Sequence, residues 1–111
     1  MEDWGKIHEA AELLGIKSTG KKILNLLART ERKLSVAEIV AGTKRSERAV
    51  KEHLKKLVDL KLVQREISVT EKGRLAYRYF RLHSDDFFRT VKQEIDRRLR
   101  RLGPRGKKET D

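Results

Sequence analysis

Residues 35–66 read SVAEIVAGTKRSERAVKEHLKKLVDLKLVQRE, and the order of signals in this stretch decides the architecture. Ser35 followed three residues later by Glu38 is a capping-box pattern, in which hydroxyl and carboxylate each satisfy a backbone N–H at a helix start. Val36, Ile39 and Val40 give the helix its apolar face, and Ala37 and Ala41 are small enough for a close neighbour. Gly42-Thr43 is predicted to end this helix and turn the chain. Ser46 then reads as the cap of a second helix, with Val50, Leu54, Leu57 and Val58 along one side. The opposite side carries Glu47, Arg48, Lys51, Glu52 and Lys55 and is therefore exposed. Leu62 to Glu66 and Ile67 to Val69 alternate as two short strands would, so a stubby hairpin is expected to follow.

Outward from this stretch, Trp4, Ile7, Ala10, Ala11 and Leu14 fall at helical spacing between Asp3 and Leu14, and Gly15 ends that run. Ser18 or Thr19 is placed to cap the next helix, whose Ile23, Leu24, Leu26 and Leu27 point inward. Arg29 to Lys33 is a charged connection. Thr70 is predicted to cap a helix through Leu75, Ala76, Tyr79 and Phe80. A last helix starts at Ser84 with Asp85 and Asp86, carries Phe88, Val91, Ile95, Leu99 and Leu102 at spacings of three or four, and stops at Gly103-Pro104. The expected organisation is thus an N-terminal helix over 1–16, a central domain over 17–82, a C-terminal helix over 83–103 and a disordered basic tail over 104–111.

The 111 residues suit one domain, and 28 Lys and Arg against 17 Asp and Glu give a formal net charge of +11. Such a surplus favours a polyanionic partner, with nucleic acid foremost. No apolar run approaches the roughly 20 residues that cross a bilayer, so no membrane association is expected. Met1-Glu2-Asp3-Trp4 lacks the pattern of a secretory signal, which implies a cytoplasmic, nucleoid-associated protein. The chain has no cysteine, which excludes disulfides, thiolate metal sites and thiol switches. Its 41% charged content fits the ion-pair-rich surface of a thermophile's protein. His8, His83, Asp85 and Asp86 are ligand-like residue types, yet their pattern does not specify a metal site, and no metal or other cofactor is expected. Without a Ser-His-Asp set, a phosphate-cradling glycine loop or a paired-carboxylate pattern, no enzyme is expected either.

Two helices, a tight turn and a hairpin make a helix-turn-helix with a wing, so the fold is expected to be mainly α with a small β-hairpin. The chain resembles the winged-helix transcription regulators of bacteria and archaea, of the broad ArsR and MarR type. The matching residues are Ser35 to Val40, Ser46, Val50, His53 to Leu57, Leu62 to Glu66 and Val69 to Gly73, within a likeness covering about Ile23 to Phe80. Those regulators usually have Gly where this chain has Lys61, a position where a left-handed backbone is common. The expected wing also lacks the basic and glycine residues that often form its tip.

The resemblance implies that helix 46–60 lies in the major groove of double-stranded DNA. Arg48 and Lys51 are then the base readers, since Arg can bind guanine O6 and N7 together. Lys44, Arg45 and Lys55 are placed for phosphate, Ser46 for its own helix or a phosphate, and Arg65 is a further DNA-binding residue. Glu47 and Glu52 repel phosphate, which implies selectivity by exclusion or cytosine N4 readout. His53 reads as a packing or phosphate-contacting residue. The basic block of Arg97, Arg98, Arg100, Arg101, Arg105, Lys107 and Lys108 is either a second backbone contact or a solvated helix end.

Phe88, Val91, Ile95, Leu99 and Leu102, with Trp4 and Ile7, form an apolar surface that a second copy would cover, giving a homodimer. Recognition helices about 34 Å apart would then read an inverted repeat. Alternatively the last helix folds back on its own domain. A sequence-specific regulator, acting as a repressor by blocking polymerase, is the leading reading. A winged-helix interaction module of a transcription or replication assembly, and an architectural DNA binder of low specificity, are the alternatives. The sequence identifies no small-molecule effector.

Overall fold

A computed structural model describes residues 3–109, with side chains through residue 102. Met1, Glu2, Thr110, Asp111 and the side chains of Arg105, Lys107 and Lys108 lie outside the described residues. The order is α1 (Ile7–Leu14), α2 (Ser18–Ala28), α3 (Val36–Thr43), α4 (Glu47–Asp59), β1 (Val63–Val69), β2 (Leu75–Arg81) and α5 (Ser84–Glu109).

Helices α2, α3 and α4 pack against one another around Ile23, Leu24, Leu27, Ile39, Val50, Leu54 and Leu57, all buried. Full burial of such side chains stabilises the fold by about 1.5–3 kcal/mol each. The capping box of α3 is present in both directions: Glu38 N–H donates to Ser35 Oγ at 3.2 Å, and Ser35 N–H donates to Glu38 Oε1 at 2.9 Å. The same bond from Ser35 holds the Glu38 carboxyl below its ordinary range.

Three local expectations are corrected. Helix α1 starts at Ile7, leaving Trp4 ahead of it. Helix α2 is capped by Lys17 without a side-chain bond, and Ser18 is its first helical residue; the Ser18 hydroxyl instead accepts from the Arg45 guanidinium at 2.9 Å, and Thr19 is buried. Helix α3 ends at Thr43 as expected, but the turn itself falls on Lys44, which is left-handed at φ 60°. Gly42 serves a different need, since a Cβ there would come within 2.7 Å of Leu26 Cδ2. It lets α2 and α3 approach.

Helix α4 ends in a Schellman turn: Leu62 N–H donates to the Leu57 carbonyl and Lys61 N–H to that of Val58. Lys61 occupies the left-handed position at φ 64°, bearing the conformational cost a glycine would avoid. Lys61→Gly is expected to raise stability by about 1 kcal/mol, read as a higher denaturant midpoint at unchanged slope.

The wing is larger than expected. β1 is one seven-residue strand rather than two short ones, and the segment expected as a helix through Leu75, Ala76, Tyr79 and Phe80 is β2. The strands pair antiparallel from Val63↔Arg81 to Val69↔Leu75. Leu34 adds a short third strand at the base, exchanging two backbone hydrogen bonds of 2.8 Å with Tyr79. Thr70 caps no helix: its hydroxyl and N–H meet Arg74 across the turn, and Gly73 takes φ 77°. The spacing of Leu75, Ala76, Tyr79 and Phe80 fits a helix locally, but strand pairing along β1 satisfies the backbone at longer range.

Helix α5 starts at Ser84 as expected, with Ser84 Oγ accepting the Asp3 N–H at 2.9 Å. It does not stop at Gly103-Pro104. The helix continues to Glu109, so the expected disordered tail is helical through that residue. One proline removes a single i→i−4 bond and kinks a helix more readily than it ends one.

Helix α5 lies against α1 within one chain. Ile7 at 5% exposure and Val91 at 4% are buried there, which corrects their assignment to a partner-facing surface: the chain's own core covers them. Trp4 sits edge-on to Phe87 with ring centroids 5.1 Å apart, and Phe88 and Ile95 are half-buried. Leu99 and Leu102 remain exposed, as does Leu13.

Arg98 ties the two helices together. Its Nε donates to buried Glu94 at 2.8 Å and its guanidinium to the Leu14 carbonyl at 3.1 Å. The Arg98 bond, helped by Arg97, holds the Glu94 carboxyl below its usual value of 4.5. A lowered folded-state pKa stabilises the fold above the unfolded value, and that stabilisation is lost as pH falls through the folded one. Thermal melts are therefore expected to show a Glu94-dependent loss of stability only below pH 4.5, absent from Glu94→Gln.

Candidate nucleic-acid interface

Ser46 starts α4 as expected, accepting the Ala49 N–H at 3.1 Å. Because Val50, Leu54 and Leu57 lock one side of α4 into the core, the other side faces solvent, and Glu47, Arg48, Lys51, Glu52 and Lys55 are all exposed. Before it, Lys44 and Arg45 sit in the turn, where the Arg45–Ser18 bond fixes the turn to the start of α2. Thr43 contributes from within, donating to the Ile39 carbonyl at 2.8 Å.

Electrostatics divides the cations. Lys51 Nζ pairs with Glu47 at 2.9 Å and Lys55 with Asp59 at 3.6 Å, both one helical turn apart. The Glu47–Lys51 hydrogen bond lowers the carboxyl pKa and raises that of the amine, so both stay charged at neutral pH. Among the described residues Arg48 forms no ion pair or hydrogen bond, leaving its guanidinium available to a ligand.

A groove of about 650 Å³ separates α4 from the wing, bordered by Lys51 and Lys55 on one side and Arg65 and Tyr77 on the other. Arg65 lies over the Tyr77 ring, 4.3 Å from its centroid. Of the eight expected contact residues, Glu47, Lys51, Lys55 and Arg65 line this groove, while Lys44, Arg45, Ser46 and Arg48 stand outside it on the turn and the first turn of α4. His53 is half-buried and borders a separate small cleft beside Gly20, a packing position.

The sequence reading missed the wing tip. Lys72, Gly73 and Arg74 occupy the turn between β1 and β2, so the wing does carry basic and glycine residues there. Gly73 four residues beyond an alternating run was the available signal. Among the described residues no group of three or more His, Asp or Glu could hold a metal ion, and no helix is long and apolar enough to cross a membrane.

Residues 17–65 match the model of the bacterial regulatory protein, arsR family. No curated protein sequence matches the chain. Among solved structures, a possible transcriptional regulator from Methanosarcina mazei aligns with a TM-score of 0.74 at 16% identity, covering 93% of this chain and 88% of that one. A protein from the thermoacidophilic archaeon Sulfolobus tokodaii aligns at 0.64 and 22% identity over 91% and 94%. MepR of S. aureus, solved in complex with DNA, aligns at 0.57 and 17% identity over 95% and 87%. At these identities the structural likeness establishes the fold. Together with the match over the helix-turn-helix, it gives the chain a winged helix-turn-helix fold, similar to that of regulators of the ArsR and MarR type.

Proposed function

We propose that the protein is a sequence-specific, double-stranded DNA-binding transcription regulator, a repressor without enzymatic activity, that reads the major groove with α4. The observation that carries this reading is the division of α4 into an aliphatic side fixed in the core and an exposed side bearing Arg48, Lys51 and Lys55. A rigid helix with outward cations beside an Arg-lined wing is what groove reading needs. Arg48 and Lys51 read bases, while Lys44, Arg45, Lys55 and Arg65 hold phosphate and Ser46 starts the helix. Residues 17–82 form the DNA-binding unit. Helices α1 and α5 extend it, and the exposed Leu13, Leu99 and Leu102 support their use in a homodimer.

Selection of bound duplexes from random DNA, followed by salt titration on matched and scrambled sequences, tests the reading. A specificity ratio of about 10³ or more marks a regulator; a ratio near one overturns it in favour of an architectural binder. Weak binding to both overturns it in favour of an interaction module.

Glu47 supplies a sharper check. Its carboxylate repels phosphate and holds Lys51 back, so Glu47→Gln is expected to tighten binding to scrambled DNA more than to matched DNA. Fluorescence anisotropy on the two duplexes reads the difference.

A further inference from the structure

The chain keeps a lysine where the backbone favours a glycine. Lys61 is left-handed at φ 64°, and strain held at one residue points to a use for its side chain. That use is not within the fold: the side chain is exposed and, among the described residues, makes no ion pair or hydrogen bond. It stands instead at a cleft of about 170 Å³ between the end of α4 and α5.

Asp59 and Lys61 line one wall, and Thr90, Gln93, Glu94 and Arg97, at helical spacing along α5, line the other. Two opposite poles face the space between. Lys61 and the exposed Arg97 guanidinium, which has N–H groups beyond those it gives Glu94, are donors for a carboxylate. Asp59 lies at the C-terminal end of α4, where its carboxylate and the helix dipole both favour a cation. Its present partner is Lys55 Nζ at 3.6 Å, in an exposed pair that holds weakly. Glu94 is already engaged by Arg97 and Arg98, and Thr90 and Gln93 add neutral hydrogen-bonding groups. The cleft is smaller than the about 300–1,000 Å³ of sites for drug-sized ligands, so its occupant is small.

We propose that this cleft binds a small free α-amino acid, its carboxylate on Lys61 and Arg97 and its ammonium on Asp59, and that the bound amino acid acts on α4. Asp59 also borders the groove between α4 and the wing, so cleft and groove share one carboxylate. An ammonium seated on Asp59 takes the partner of Lys55 and frees that cation for phosphate. The amino acid is then a co-repressor. Its effect on DNA affinity is about two- to fivefold, the span set by one exposed ion pair. This coupling rests on the reading of α4 as the DNA-binding helix; the amino-acid site does not.

Calorimetry on the full chain uses glycine, L-alanine, L-serine and L-leucine as probes, with acetate and methylamine, which carry one pole each, as controls. At least one amino acid is expected to bind with a Kd of about 1 mM or tighter and to raise the melting temperature, and neither control should. Lys61→Gly relieves the left-handed backbone and should fold at least as stably, yet it is expected to weaken that binding by at least about tenfold. No binding by any of the four at about 10 mM overturns the site, as does binding that Lys61→Gly retains or acetate matches. Anisotropy on the selected duplex should show the two- to fivefold gain when the amino acid is added. Asp59→Asn should bind DNA as the loaded wild type does and ignore the amino acid. Unchanged DNA affinity with the cleft filled overturns the coupling and leaves the site. Failure of wild type to bind any duplex overturns the α4 reading, while calorimetry still decides the site.

Discussion

Replacing Arg48 and Lys51 together by Glu is expected to lower affinity for the selected duplex by at least about 100-fold. Loss of one good bidentate base contact costs about 1–3 kcal/mol, and each 1.4 kcal/mol is a factor of ten. Two lost contacts and two carboxylates aimed at a polyanion exceed that threshold. The fold should survive, because both side chains are exposed and Glu is a good helix former. The new Glu beside Glu47 costs a few tenths of a kcal/mol in α4, which moves the melting temperature by only a few degrees. Lys55→Ala provides the contrast: binding to matched and scrambled DNA should fall alike, with a salt slope smaller by about one. A double variant that keeps wild-type affinity while folded removes α4 from the interface.

The motif at the centre of the chain was legible because its signals are local. Ser35 with Glu38 and Ser46 with its hydroxyl act within three residues, and the structure shows both caps in place. Val50, Leu54 and Leu57 share one side of a helix by spacing alone, which also fixes where Arg48 and Lys51 must stand. Reading failed where a distant partner decides. Leu75, Ala76, Tyr79 and Phe80 satisfy a helical period as well as a strand, and the outcome turns on pairing with β1 and on Leu34, more than forty residues earlier than Tyr79 in the chain. Gly42 looked like a turn residue, yet its role is to admit Leu26. Lys44 adopts a left-handed backbone that its side chain disfavours, so no composition rule marks it, whereas the resemblance pointed to Lys61.

The candidate site divides along the same line. Its α4 half follows from helix geometry, whereas the wing half depended on knowing where β2 lies. Once β2 is misread as a helix, Lys72 and Arg74 fall at a helix start rather than a hairpin tip, and the exposed apolar face that Ile67, Val69, Leu75 and Tyr77 share disappears from view. On α5, Phe88 was chosen because it continues the stripe of Val91, Ile95, Leu99 and Leu102. Phe87, one residue earlier, is the side chain that is 1% exposed. Phe87, Val91, Glu94 and Arg98 form the row that meets α1, and Glu94 disguised it by being charged.

That misplacement sets the second large effect. Phe87→Ala is expected to destabilise the fold by about 3–5 kcal/mol, the range for removing a fully buried phenyl ring. Its ring packs edge-on to Trp4 at 5.1 Å and to Phe88 at 5.0 Å, beside Ser84, whose hydroxyl holds the Asp3 N–H. Because a domain of this size is stable by only about 5–15 kcal/mol, the loss is a large share of the whole. Phe88→Ala should cost clearly less, since Phe88 is already half exposed. Trp4 is the single tryptophan of the chain, so its fluorescence reports directly on this corner during urea unfolding. A cost below about 1 kcal/mol would mean that Val91 and the Arg98 clamp dock α5 without the ring. An equal cost for Phe88 would turn the helix by one residue and return Phe88 to the core.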